Sequence, residues 1–266
     1  MNHLFRDLAP ITDGTWTMLD DEARTRLAPA LGARKLVDFV GPLGWEHSAT
    51  STGRVGAVVD APGQNAIARA RAVLPLAEVR FEFSLSRAEL DAASRGAIDV
   101  DLSRLDEAAA QLATVENSAI FHGWDALGFA GIVPSTPNPR LDRSDDPRRF
   151  AEQVAAAAAQ LKRAGVDAPY GLAVDTDTWI NVVGGSDQGG SPLLKHLETL
   201  LGGPVVWTPG LDGAVVVSQR GGDYVFESGQ DIAIGYAHHD ADQVTLYLEE
   251  TFSFRVATPE AAAVVS

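Results

Sequence analysis

The sequence contains no cysteine, so it has no disulfides, no thiolate nucleophile and no metal site built from cysteines. Positive charge is also scarce, because 21 lysines and arginines stand against 36 aspartates and glutamates, a formal net charge of -15. Nucleic acid is therefore not expected as the main partner, since Lys and Arg are needed to neutralise its phosphates. No apolar run reaches roughly 18 residues, and the N-terminus has no signal-peptide pattern. We expect a soluble, cytoplasmic protein with no membrane partner.

Recognisable catalytic motifs are missing too. The sequence has neither a G-x-S-x-G nor an H-E-x-x-H motif. His238 and His239 are adjacent, so on a strand they would point to opposite faces, and the other histidines lack the spacing of metal ligands. The glycine-rich segment Gly184–Gly190 lacks the Lys-Ser/Thr pair of a phosphate-binding loop. The sequence therefore predicts a structural protein that is not an enzyme and has neither cofactor nor metal.

The chain does contain one very long predicted strand, from Val244 to Val256. Apolar and polar residues alternate along it with the period of two that a strand requires. Strands average about 5–6 residues, so this length suits a protein that spans and joins copies of itself. One face carries Val244, Leu246, Leu248, Glu250, Phe252, Phe254 and Val256.

Residues 48–74 predict a long hairpin. Apolar residues alternate along both arms, and the pair Pro62-Gly63 favours a turn between them. The segment has too little apolar surface to be stable alone, since an isolated hairpin is marginal in water. We expect it to lie on another subunit, and the alternative is a disordered loop.

The sequence also predicts two helix starts and two short strands. Thr12 can cap the first helix, and Leu36–Val40 reads as a strand. Ser103 and Asp106 have the spacing of a capping box at the start of a long helix. Tyr170–Thr176 reads as a strand in a second unit that follows a proline-rich linker.

Several blocks of sequence, in order along the whole chain, resemble the encapsulins, the shell proteins of bacterial nanocompartments. Such a number of ordered blocks is specific, whereas any one tetrapeptide would mean little. The blocks are FRDLAP with Trp16, the segment Gly32–Phe39 with Arg34 and Asp38, Pro75–Ser86, Gly165–Tyr170, the RGGD of Arg220–Asp223, Gly229–Tyr236 and the LYLEETFSF strand.

The resemblance implies an α+β, phage major-capsid-like fold with a peripheral domain, an extended loop and an axial domain. The peripheral domain would comprise residues 1–47, 75–130 and 225–266, the extended loop 48–74, and the axial domain 131–224. Copies would close into an icosahedral shell, commonly of sixty subunits, around a cargo enzyme. The cargo would be a dye-decolourising peroxidase or a ferritin-like protein that docks through its C-terminal peptide.

The resemblance also implies two sites. A cargo-peptide groove would lie between the first helix and the peripheral sheet, and a pore would open at the five-fold vertices. Some family members stack a flavin on a Trp where this chain has Ala88, so no flavin is expected. The predicted groove residues are Leu19, Leu27, Arg34, Asp38, Asp231, Ile232 and Ile234. The predicted pore residues are Gly184, Gly185, Ser186, Asp187, Gln188, Gly189 and Gly190.

Two alternatives stay open from the sequence. The first is a phage or prophage major capsid protein, which a neighbouring terminase or portal gene would favour over a cargo gene. The second is a soluble α/β enzyme with an unrecognised site. An enzyme would elute as a small oligomer, whereas a shell would have a mass in the megadalton range.

Overall fold

The computed structural model describes residues 3–63, 65–144, 149–186 and 190–266. The helices in these ranges are α1 (Asp13–Ala30), α2 (Arg87–Ser94), α3 (Ser103–Phe121), α4 (Ile132–Ser135), α5 (Phe150–Arg163), α6 (Thr176–Gly184) and α7 (Leu193–Leu201). The strands are β1 (Asp38–Val40), β2 (Ala49–Val59), β3 (Ala68–Pro75), β4 (Ala77–Ser86), β5 (Gly123–Trp124), β6 (Phe129–Ala130), β7 (Tyr170–Val174), β8 (Val205–Trp207), β9 (Ala214–Ser218), β10 (Tyr224–Ser228), β11 (Ala233–His239), β12 (Gln243–Val256) and β13 (Ala262–Val265). Within the described ranges, no helix combines the length and the apolar character needed to cross a lipid bilayer.

The long strand β12 is the spine of the larger sheet, and its prediction is confirmed at 14 residues. Both edges of this strand form hydrogen-bonded pairs. On one edge, β4 pairs antiparallel with residues 243–252. On the other edge, β11 pairs with the first half of β12 and β10 with the second half. Strand β1 then extends the sheet by pairing parallel to β10.

Helices α1 and α3 cover one face of this sheet. From the apolar face predicted for β12, Val244, Leu246 and Leu248 point into this contact, as the period of two requires. Burying a Leu or Ile side chain stabilises the fold by about 1.5–3 kcal/mol, so this layer is a main source of stability. The cluster includes Trp16, Leu19, Leu27, Phe83, Leu85, Leu105, Leu112, Ile234, Val244, Leu246 and Leu248.

A second sheet has the strand order β13-β9-β7-β8 and is covered by α5 and α7. Its edge strand β13 comes from the C-terminal segment, because Ala262–Val265 pairs with β9 and does not join the sheet that contains β12. The apolar run at 261–265 explains the crossing, since all of its side chains are buried against that sheet. One continuous apolar cluster joins Phe226, Phe252 and Phe254 of the larger sheet to this second unit.

Strands β2 and β3 form the predicted hairpin, which is therefore confirmed as ordered structure. The two strands pair antiparallel from Ala49↔Pro75 to Val59↔Ala68, with two register shifts along the way. Of all the residues in these two strands, Thr50 alone is buried. The hairpin thus touches the rest of the subunit at its base and is exposed along most of its length.

The residues that start α1, α3 and α6 bear on three of the local predictions. Thr12 does cap α1, since its hydroxyl accepts a hydrogen bond from the Thr15 N–H at 3.3 Å. The capping box was wrong, because it is Asp101 that accepts from the Ser103 N–H, at 3.0 Å. The predicted strand from Tyr170 ends early at Val174, because Asp175 accepts from the Thr178 N–H at 2.7 Å and starts α6.

Candidate functional site: a groove between α1 and β11

A groove of about 270 Å³ lies between the C-terminal half of α1 and the start of β11. Five of the seven residues predicted for a cargo groove line it. They are Leu27, Arg34, Asp231, Ile232 and Ile234. The rest of the lining comes from Asp20, Ala23, Arg24, Ala28, Leu31, Ala233 and Leu248.

The walls of the groove are apolar and follow from the periods of two elements. Ala23 and Leu27 on α1 and Leu31 at its C-terminal cap are spaced four apart, so they lie along one side of the helix. Opposite them, Ile232 is half-buried and Ile234 is buried in the core beneath. An apolar cleft of this kind can take one or two aliphatic side chains of an extended peptide.

The N-terminal FRDLAP block closes one end of the groove region. Arg6 donates to both carboxylate oxygens of Asp20, at 2.8 and 2.6 Å, and to the backbone oxygen of Ile234 at 2.8 Å. Its guanidinium also lies over the Trp16 ring, 4.5 Å from the centroid. This single side chain therefore ties the N-terminal segment to both walls of the groove.

Arg34 forms the polar floor of the groove and is bound by three carboxylates. It donates to Glu116 on α3, to Glu250 on β12 at 2.9 Å, and to Asp231 at 2.6 Å. Arg34 is 15% exposed and Asp231 43%, whereas Glu116 and Glu250 are at 0% and 1%. The guanidinium is thus committed to the subunit itself, and its main partners are buried.

The two buried glutamates face one cation between them. Burial raises the pKa of Glu250, and the neighbouring Glu116 raises it further. Burial also raises the pKa of Glu116, although Arg34 acts in the opposite direction. Oxygen Oε1 of each has no hydrogen-bond partner among the described residues. We expect this pair to hold one shared proton, because two charged carboxylates would be poorly compensated by a single guanidinium.

The pH dependence of stability should reveal this pair. A carboxyl group with a raised folded-state pKa stabilises less and less as pH increases from about 4.3 toward that pKa. The substitution Glu250→Gln removes one such group and supplies an N–H in place of the shared proton. We expect thermal unfolding at a series of pH values to show the variant gaining stability relative to the original chain across that window. A difference that does not change with pH would contradict the shared proton.

The strand predicted at Leu36–Val40 begins only at Asp38, so Arg34 and Asp38 lie on different elements. Residues Ala33–Lys35 form a 3₁₀-helix, so Arg34 lies on this turn and Asp38 on strand β1. The physical reason is Asn117 of α3, which accepts from the Ala33 N–H at 3.0 Å and holds this turn against the helix.

Two predicted groove residues lie elsewhere. Leu19 is fully buried in the core under α1 and has no surface in the groove. Asp38 accepts a hydrogen bond from the Gly222 N–H on the other side of the sheet's edge. The RGGD block there is a tight turn, with φ near 85° at Gly221, closed by an ion pair between Arg220 and Asp223 at 2.9 Å.

The sequence reasoning missed Glu116 and gave Glu250 no role in the groove. A signal for each existed. Glu116 lies four residues after Leu112 on the apolar face of α3, and Glu250 interrupts the apolar face of β12. A charged residue at a core position is rarely buried without a partner, so each carboxylate indicated a buried cation.

The predicted pore segment is described only in part, because Asp187, Gln188 and Gly189 lie outside the described residues. Gly184 ends α6, and the Gly185 carbonyl accepts from the Leu193 N–H at 3.1 Å. Within the described residues, no group of three or more His, Asp or Glu side chains could hold a metal ion. Ala88 lies exposed on α2.

The sequence is similar to known proteins over its full length. A family described as "encapsulating protein for peroxidase" matches residues 1–253. A type 1 encapsulin shell protein of Rhodospirillum rubrum is 45% identical over 98% of this chain and 95% of its own length. A type 1 encapsulin shell protein of Mycobacterium tuberculosis is 41% identical, with 100% of both chains covered.

The fold is also found among solved structures. A virus-like particle from Pyrococcus furiosus superposes with a TM-score of 0.64 over 94% of this chain and 99% of its own, at 16% identity. A structure from Mycobacterium phage Cain gives a TM-score of 0.52 over 100% of this chain and 95% of its own, at 14% identity. At such identities the likeness concerns the fold alone, and it confirms the predicted capsid-like α+β class. With 45% identity to a shell protein over nearly its whole length, the chain belongs to the encapsulin family of shell proteins.

Proposed function

We propose that copies of this chain assemble, in the cytoplasm, into a closed icosahedral shell that encloses a cargo enzyme and has no catalytic activity of its own. The single observation that carries the proposal is the hairpin of β2 and β3. Its apolar side chains face solvent in the isolated subunit, with exposed fractions of 51% at Val55, 57% at Val58, 51% at Val59, 81% at Ile67 and 52% at Val73.

A row of exposed aliphatic residues on a two-stranded ribbon indicates a surface that another chain buries, because such a ribbon is only marginally stable in water. We propose that a neighbouring copy of this chain buries them, since the relatives are named as shell proteins and the fold is similar to that of a virus-like particle. The identity of 45% to an encapsulin shell protein, against 14% to the phage protein, favours the encapsulin over the phage alternative.

We expect the protein expressed alone to form hollow closed particles without nucleic acid. Deleting Gly53–Val73 should leave a folded but unassembled subunit, because Thr50 and its contacts at the hairpin base remain. Negative-stain microscopy and light scattering of the full chain measure particle formation. Cooperative thermal unfolding of the deletion variant shows whether the subunit still folds. A monodisperse monomer or dimer of the full chain would contradict the shell proposal. Loss of cooperative unfolding in the deletion variant would mean that the hairpin belongs to the subunit core.

We propose further that the groove between α1 and β11 binds the C-terminal peptide of the cargo. Its apolar walls support this role, because burial of aliphatic side chains gives more affinity than an exposed ion pair of roughly 0–1 kcal/mol. Asp231, at 43% exposed, can accept hydrogen bonds from the peptide. Arg34 acts here by positioning Asp231 and the groove floor, since its guanidinium is occupied by three carboxylates.

The glycine-rich segment 184–190 is proposed to line a pore at the five-fold vertices, as the family resemblance implies. Four of its seven residues are glycine and its one charge is Asp187. A negative opening raises the local concentration of small cations. The substitution Asp187→Lys should therefore lower entry of cationic substrates to an enclosed enzyme and raise entry of anionic ones, with assembly intact. Unchanged kinetics for both substrate classes would reject the pore assignment.

A further inference from the structure

The base of the hairpin is held by one carboxylate. Oxygen Oε1 of Glu227, on β10, accepts a hydrogen bond from the Thr50 hydroxyl at 2.6 Å. The same oxygen lies 2.7 Å from Nε2 of His47, which precedes the hairpin. Thr50 is also hydrogen-bonded to the hydroxyl of Ser253 on β12, the residue directly opposite Glu227 in the sheet. The one buried residue of the hairpin strands therefore sits on a polar anchor in the main sheet.

The two arms of the hairpin meet the subunit in different ways. Arm β3 runs through Pro75 into β4, whose first residue, Ala77, pairs with Phe252 of β12, so its direction is fixed by the sheet. Arm β2 follows a loop in which the Leu43 and Gly44 N–H groups donate to the Ser228 and Gly229 carbonyls, and Glu227 adds side-chain contacts at its N-terminal end. The arms are joined at the base by the Leu76 N–H, which donates to the Ser48 carbonyl at 3.0 Å. Glu227 thus supplies the side-chain contacts at the point where the two paired arms leave the sheet.

The hairpin acts as a lever on this anchor. Strand β2 has 11 residues, which at about 3.4 Å per residue makes it about 37 Å long. A tilt of about 10° at the base would move its tip by about 6 Å, more than the spacing of two strands. A displacement of that size changes which part of a neighbouring copy the exposed valines can cover.

We infer that Glu227, by holding Thr50 and His47, fixes the angle at which the hairpin leaves the subunit and so selects one particle size over others. This inference rests on the proposed shell function. Glu227 is a positioning residue here, because it acts on a neighbouring subunit only through the hairpin. The relevant contacts are two hydrogen bonds to one oxygen, which an amide oxygen can also accept.

The test compares the particle sizes formed by four variants with those of the original chain, by mass photometry and negative-stain microscopy. Glu227→Ala removes both hydrogen bonds of the anchor and Thr50→Val removes the one to the hairpin. For each, we expect the fraction of particles outside the original diameter to rise at least several-fold. Glu227→Gln keeps an acceptor oxygen, so it should form particles with the same distribution of diameters as the original chain. Thr52→Val is the matched control, because the Thr52 hydroxyl bonds within the hairpin, to the Ala72 carbonyl at 2.7 Å.

Each outcome decides the inference. Original-sized particles from both Glu227→Ala and Thr50→Val would overturn it, and so would equal changes from Thr50→Val and Thr52→Val. If Glu227→Ala fails to fold, Thr50→Val decides alone, since it removes one hydroxyl and keeps the side-chain shape. Failure of the original chain to form closed particles would instead reject the proposed function, which keeps the two failures distinct.

Discussion

Shells carrying Ile232→Asp are expected to form normally and to contain no cargo. Ile232 lines the groove and is half-buried, so its side chain can still be covered by a bound peptide. Losing the burial of one Ile costs about 1.5–3 kcal/mol, which is roughly a 10- to 150-fold loss of affinity. The new carboxylate would also have to lose its water among apolar walls, which weakens binding further. The measurement is co-purification of a tagged cargo enzyme with the shell.

The choice of Ile232 over its neighbour matters. Ile234 also lines the groove, but it is 1% exposed and belongs to the core under α1, so Ile234→Asp should unfold the subunit. The matched control is Ile98→Asp, the same change at a fully exposed isoleucine that does not line the groove. Control shells should load cargo as the original shells do. Full loading of Ile232→Asp shells would show that cargo binds elsewhere.

The second large effect is on stability. We expect Arg34→Ala to destabilise the subunit strongly, by about 3–5 kcal/mol, because it leaves two buried carboxylates without their cation. These carboxylates belong to Glu116 and Glu250, which both accept hydrogen bonds from the Arg34 guanidinium. Thermal unfolding should show the loss, and it should be larger at high pH, where both carboxyl groups ionise.

A control for this prediction lies on the same groove. Arg24 is 71% exposed and pairs with Asp21 at the surface, so Arg24→Ala should change stability by no more than about 1 kcal/mol. A further variant tests the cause, because adding Glu250→Gln to Arg34→Ala removes one of the stranded carboxylates. We expect the double variant to recover part of the loss. Equal unfolding temperatures for Arg34→Ala and Arg24→Ala would contradict a buried ion cluster.

The elements predicted best from sequence are those with a sustained period. Strand β12 and the two arms of the hairpin alternate over many residues, and both are found where alternation indicated them. The terminal segment Ala262–Val265 has only a short apolar run, which fits any sheet that offers an edge. Its pairing with β9 could not be predicted, because register and partner depend on tertiary contacts.

The groove residues were named from the family resemblance, and only the place of Leu27 on the apolar face of α1 follows from a helical period. The place of Arg34 depends on a 3₁₀ turn held by a distant side chain, Asn117. Asp38 was named with Arg34 from the same resemblance, whereas the structure places it on β1, bound to the Gly222 N–H. Glu116 was missed because most glutamates lie at the surface, although its position on the apolar face of α3 was a signal of burial.

The spine strand has a consequence for the order of events during synthesis. Strand β12 follows β4, β10 and β11 along the chain, and it contributes to both apolar clusters. While the ribosome is still translating, the earlier strands lack the partner that joins them, and β11 lacks the neighbour that completes the groove. Pairings between residues so far apart in sequence also form slowly. Neither the groove nor the hairpin anchor at Ser253 can therefore exist on a short nascent chain, which delays assembly until the subunit is nearly complete.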